Sequence, residues 1–442
     1  MADSGRRPIR RLRLKGWYVA LAVIAVLVGL IAVHVLFAKG RLDRRLDALR
    51  SAGYPTTLAE LVEYNKLPQG SPNAADVYTR AFALHATLLD ETNVPYLGSG
   101  QWPDRGQPLP ESMSKAISQC LADNQQRLSL LHEAAGIEDC DYDRNWRQPA
   151  TTGFQQVAAM RHCIYLLGLG ATYYSHTGDP NTAMRCIEDG LRLASSLRRD
   201  PVLINYLVRL ACISLMVQSL DRSLNAAVFT DRQLAQLEET LTTTAGTLDL
   251  TQALITQRCI MIEMCRELPV TPGSSPGPQP RTHPSVMRTA IVDILGYMDD
   301  YIEASKRPPL ERLARFRAVA QEVEGLSVLH ALTKTVFGPT VGRTAEMDLR
   351  AHASIALART ALAIERYRLA TGKVPERLEE LVPRYLKEVP IDPFGGQPIR
   401  YRRTDPGYLL YSVNDDGQDN SGKEKAEVTR GDPYDWPFIM TR

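Results

Sequence analysis

The sequence predicts a mainly α-helical chain with an N-terminal transmembrane helix, a helical bundle, and a small C-terminal α+β module built on an antiparallel hairpin. Three observations predict it. An uncharged apolar run covers residues 17–38, helix starts recur between Phe154 and Leu268, and turn and strand signals crowd the chain after Gly372. At 442 residues the chain exceeds the usual size of a single core, so more than one domain is expected. The 52 Lys and Arg against 50 Asp and Glu leave a formal charge of +2, which argues against nucleic acid as a partner.

Residues 1–16 form a basic tail holding Arg6, Arg7, Arg10, Arg11, Arg13 and Lys15. The run that follows, WYVALAVIAVLVGLIAVHVLFA, spans roughly 33 Å as a helix at about 1.5 Å per residue, enough to cross a hydrocarbon core. Trp17 and Tyr18 sit at one edge, where amphipathic rings favour the interface. A cleaved signal would have an apolar stretch of only about 7–15 residues ending in small residues. Leu36-Phe37-Ala38-Lys39-Gly40 is a poor cleavage site, so a retained anchor is expected. Lys39, Arg41, Arg44, Arg45 and Arg50 follow the run, among Asp43 and Asp47. The basic bias therefore favours a cytoplasmic N-terminus only slightly, with the bulk of the chain on the outer side of the inner membrane.

Residues 39–268 read as a helical domain. A charged helix ends at Gly53-Tyr54-Pro55, and Pro55 opens a short helix of pattern P-x-x-L-x-E-L-V, which returns at Pro375. A helix is expected from Glu111 to Ala135. Asp139-Cys140-Asp141-Tyr142-Asp143 lacks the glycine turn and terminal Glu of a calcium loop, so it reads as a solvated turn. Asp179-Pro180, Asp200-Pro201 and Thr230-Asp231 each pair a good N-cap with a good first residue. They predict helices over 154–176, 180–198, 201–223, 231–244 and 247–267. The pair at 154–198 resembles a tetratricopeptide repeat. Leu167, Ala171, Tyr174, Ala183, Ile187 and Gly190 stand where that motif places its large and small residues, and the small ones admit a facing bulky side chain. Six prolines in residues 269–285 mark a linker, and a helical connector is expected over 286–344, closed by Gly338-Pro339.

The C-terminal module covers 345–442. Glu346 to Thr371 predicts a helix with Gly372 as its C′ residue. Asp392-Pro393-Phe394-Gly395 is a turn. Residues 398–402 and 407–413 read as a hairpin, and Trp436 to Met440 as an edge strand. In order and spacing this stretch resembles the globular domain of the major pseudopilin of type II secretion. The chain as a whole is similar to bacterial membrane-anchored proteins that pair such a tail with a helical middle. Two features depart from pseudopilins. No prepilin-peptidase site precedes Trp17, and residues 39–344 separate the membrane run from the module. Filament assembly is therefore not expected. The resemblance implies calcium in the acidic loop, with Asp415, Asp416, Asp419, Asp432 and Asp435 as oxygen donors; a solvated acidic turn is the alternative.

No G-x-S-x-G, P-loop or H-E-x-x-H motif occurs, and His132-Glu133 lacks a second His. The seven cysteines form no C-x-x-C pair, which argues against a zinc ribbon. These readings point to a non-catalytic scaffold or interaction protein of the cell envelope, meeting a protein partner through its helical domain. A membrane-bound enzyme with an unrecognised site in that domain is one alternative, a secretion-system-associated pseudopilin-like component the other.

Overall fold

In a computed structural model, residues 40–65, 72–84, 92–142, 154–267, 284–325, 331–429 and 432–442 are described. The membrane run 17–38 and nearly all of the 269–285 linker lie outside them. The described chain is mainly helical, with one small antiparallel sheet at its C-terminal end.

Helix α1 (40–51) buries Leu42, Leu46 and Leu49, a stripe at helical spacing. Gly53 closes it at φ 79°, a conformation open to glycine. Helix α2 (Leu58–Asn65) follows Pro55. Its Glu60 accepts from the Thr56 backbone N–H at 2.6 Å. In the second P-x-x-L-x-E-L-V copy, Glu380 accepts in the same way from Glu376 N at 3.0 Å. The shared pattern is thus a local cap, followed in both copies by a fully buried leucine, Leu61 or Leu381. The two copies diverge in helix type, because residues Leu378–Leu381 make only a 3₁₀ turn.

Helix α3 is Ala74–Ala83, α4 is Glu111–Asp123 and α5 is Gln125–Ala135. The single helix expected over 111–135 is therefore interrupted at Asn124. The Asn124 amide donates to the Cys120 carbonyl at 2.9 Å and accepts from Arg127, a local bonding pattern that competes with the helical ladder.

Helices α6 (Phe154–His176), α7 (Pro180–Ser195), α8 (Leu203–Ala226) and α9 (Asp231–Gly246) form the centre of the bundle. The caps act as expected at two junctions. Asp179 accepts from Thr182 N, and Thr230 forms a capping box with Gln233. At the third the chain differs: α7 runs on into a 3₁₀ turn, Ser196–Arg199, and α8 starts only at Leu203. Asp200 does not cap α8, because its carboxylate takes the Asn205 amide at 2.7 Å. At the α7–α8 crossing, a Cβ on Gly190 would stand 2.1 Å from Met216 Sδ, so only glycine admits that methionine. Among the described residues α8 is the one helix long and apolar enough to cross a membrane, yet 67% of its apolar window is buried in the bundle.

Helices α10 (Leu250–Glu267), α11 (Pro284–Ser305) and α12 (Pro309–Glu324) build a second core with α1, around Leu46, Leu254, Met298 and Phe316. Helix α13 (Ala331–Thr371) is one continuous helix of 41 residues. It runs through Gly338-Pro339 and through the boundary expected at 344/345. A proline inside a helix costs about 3 kcal/mol. Burial of Val341, Ala345 and Leu349 on the α13 face that meets the neighbouring helices offsets that cost.

Strands β1 (Arg400–Arg403), β2 (Tyr408–Ser412) and β3 (Trp436–Met440) form the sheet in order β1-β2-β3, all antiparallel. The expected hairpin and edge strand are both present. Every residue of β2 is buried. Tyr408, Leu410, Phe438 and Met440 belong to the same core as Leu167, Ala171 and Leu220 of the bundle. The sheet thus packs its apolar side chains into the bundle's core.

Candidate functional site

The acidic loop is placed by its turns. Asn414–Asp416 makes a 3₁₀ turn closed by Gly417 at φ 68°, and Gly422 turns the chain again at φ 79°. The five candidate carboxylates have different surroundings. Asp415 turns toward α13, where Arg350 Nη2 donates to it at 3.1 Å, and Arg350 stacks over Trp436. Asp416 shapes its own turn by accepting from Gln418 N and the Asn420 amide, each at 3.1 Å. Asp432 is exposed.

Asp419 and Asp435 come together. Asp419 accepts from Ser421 N at 2.8 Å, Tyr411 Oη at 3.1 Å and Arg400 Nε at 3.1 Å. Burial pushes its carboxyl up, but these three donors outweigh it and hold the group below its ordinary value. Asp435 is fully buried, with Oδ2 on Gly422 N at 2.6 Å and no hydrogen bond on Oδ1. Burial pushes its carboxyl up, and the Asp419 charge adds to that against nearby N–H groups. No group of three or more His, Cys, Asp or Glu that could hold a metal occurs among the described residues. The fit to calcium therefore rests on Asp419 and Asp435, with the unpaired Oδ1 as the atom a hard cation would satisfy.

Next to this loop lies a carboxylate whose role the turn motif only hinted at. Asp392 is fully buried and accepts from Phe394 N at 3.0 Å, Ser412 Oγ at 2.7 Å and Val413 N at 2.9 Å. It ties the Asp-Pro-Phe-Gly turn to the end of β2. A second junction, invisible in the sequence, is Arg105. Its guanidinium bridges Asp221 of α8 at 2.7 Å and Glu424 of the acidic loop at 3.1 Å, clamping loop to bundle.

A cleft of about 650 Å³ lies elsewhere, between α7, its 3₁₀ turn, α9 and the segment after α5. Glu188, Arg192, Ser195 and Arg199 line one wall and Gln236, Thr240, Thr243 and Thr247 the other, with Tyr78 and Cys140 between. Both walls follow from helical spacing. The cleft holds titratable groups but no activated nucleophile. Burial pushes the Cys140 thiol up to about 12, so it stays protonated at neutral pH. The Ser196 hydroxyl donates to the Leu193 carbonyl at 2.7 Å and meets Tyr142 Oη at 2.8 Å, with no base beside it. His132 pairs with Asp189 through Nδ1, a contact that orients the ring and leaves Nε2 uncommitted to that carboxylate.

No family model matches this chain, and neither do any curated protein or solved structure.

Proposed function

We propose that this chain is a membrane-anchored, non-catalytic scaffold or protein-interaction protein of the bacterial cell envelope. On this reading residues 17–38 span the inner membrane, the bulk of the chain lies outside the cytoplasm, and α6–α7 act as a tetratricopeptide-like pair. The observation that carries it is the position of α1. The described part of this helix follows the apolar run in sequence and buries Leu42, Leu46 and Leu49 in the α10–α12 core, so an anchor at 17–38 would hold the body rigidly. The close approach of α6 to α7 at Gly170, where a Cβ would stand 3.0 Å from Cys186 Sγ, supports the repeat-like pair.

The protonated thiol and unassisted hydroxyl of the cleft weigh against the enzyme alternative. Sharing of one core by sheet and bundle weighs against a pilus-type subunit, whose module would stand alone on its stalk. Calcium, where bound, would be held by Asp419 and Asp435. It would relieve their repulsion and brace the loop against β3.

Carbonate washing of membranes tests the anchor: the chain should stay in the pellet until detergent is added. A C-terminal reporter should read out on the outer side, and a detergent-extract pulldown should retain a stoichiometric partner. Release by carbonate, or a cytoplasmic readout, would overturn the reading.

A further inference from the structure

The cleft between α7 and α9 has polar, charged walls, with Ala74, Tyr78, Ala135, Ile137 and Cys140 also on its lining. Glu188, Arg192, Ser195 and Arg199 are spaced to share one face of α7 and its continuing turn, with Arg198 exposed at the rim. The facing wall of α9 offers an amide and hydroxyls without a large apolar side chain. A volume of about 650 Å³ falls within the roughly 300–1,000 Å³ of small-molecule sites.

Two buried atoms on its lining have unmet bonding capacity of opposite kind. Glu188 meets Gln236 and Thr240 of the facing wall but its Oε1 lacks a donor, and Arg199 pairs with Asp139 at 2.8 Å but its Nε lacks an acceptor. Behind the α9 wall, Arg209 is only 3% exposed and donates to the Thr247 carbonyl at 2.8 Å, yet its Nε has no partner. No described carboxylate lies within ion-pair distance of it. Burial, joined by the Arg198 charge against the influence of Tyr206, pulls Arg209 down to about 10. Arg209 stands behind the wall and not on the lining, so the positive charge facing the cleft comes from Arg192, Arg198 and Arg199. A plain anion, however, would meet Glu138, Glu188 and Glu239 on the same lining, and a plain cation would meet the arginines.

We propose that this cleft binds a zwitterionic ligand of the amino-acid or short-peptide class, its carboxylate toward Arg198 and its amine or amide N–H toward Glu188. The proposal deepens the binding role given above to the helical middle and rests on it.

The test uses the full chain in detergent. Thermal shift with each of the twenty L-amino acids and with a pool of random pentapeptides carrying free ends comes first, followed by calorimetry. The same pool amidated at the C-terminus, the pool acetylated at the N-terminus and inorganic phosphate are the comparison arms. Binding by an amino acid or by the free-ended pool is expected, the two arms distinguishing the source. Blocking either end of the peptides, or introducing Arg198→Glu or Thr243→Trp, should weaken binding tenfold or more. Both positions are exposed, so the variants should melt with the parent. No binding by any probe, binding unmoved by both variants, or phosphate binding as tightly as the best zwitterion would overturn the proposal. A pulldown partner kept by Thr243→Trp in that event would leave the scaffold reading standing.

Discussion

Arg105→Met should destabilise the whole described body by about 3 kcal/mol, the low end of the roughly 3–5 kcal/mol seen when one partner of a buried ion pair is removed. The magnitude follows from the surroundings. Asp221 is 5% exposed, and without Arg105 its carboxylate keeps only the Asn225 amide at 3.2 Å. Glu424, at 30% side-chain exposure, is solvated enough to lose little, which places the estimate at the low end. For domains of about 150–250 residues, each kcal/mol moves the melting temperature by roughly 2–4 °C, so a drop of at least about 5 °C is expected. The deficit should also depend on pH. Burial raises the folded-state value of Asp221 above that of the unfolded chain, and Arg105 opposes the rise. Removing Arg105 lets it rise further. The folded variant then binds its proton more tightly than the unfolded chain, so stability falls as pH increases through the raised value. The deficit should be smaller at pH 4.5 than at pH 7. Calorimetry on the detergent-solubilised chain, with Asp221→Asn and the double variant, closes a mutant cycle. A melting temperature within 1 °C of the parent, or strictly additive effects, would refute the clamp between loop and bundle.

Other outcomes follow from the same packing. Asp392→Ala should cost about 3 kcal/mol in chemical denaturation, since three buried donors lose one charged acceptor; a change under about 1 kcal/mol would contradict its role. Gly190→Val should cost about 1–3 kcal/mol by forcing Met216 out of the α7–α8 crossing, and Met216→Ala in the same chain should recover part of the loss. If calcium binds at Asp419 and Asp435, a free concentration of about one hundred times Kd should stabilise the chain by about 2.7 kcal/mol over EGTA. Asp435→Asn should remove most of that gain. An unchanged melting curve at millimolar calcium would retire the metal.

Helix positions were largely legible because their signals are local. The Asp179 cap, the Thr230 capping box and the apolar stripe of α1 each act within a turn or two, and the structure realises them. Misreadings arose where a side chain had a choice. Asn124 bonds Cys120 instead of continuing a helix, Asp200 takes Asn205 instead of capping α8, and α13 accepts Pro339 because its buried face holds it. The acidic loop was found by composition, but which carboxylates meet depends on Arg350 and Arg400, which reach it from α13 and β1.

By itself the sequence determined the mainly helical class, the hairpin and last strand, and the apolar run that the anchored reading depends on. Each is set by periodicity or turn chemistry within a few residues. Only the tertiary structure decided that the C-terminal sheet shares a core with the bundle, that Arg105 joins residues more than a hundred positions apart, and that α7 and α9 enclose a polar cleft. Such features come from surfaces meeting across the chain. Burial and charge pairing between distant segments leave no periodic trace in either segment alone.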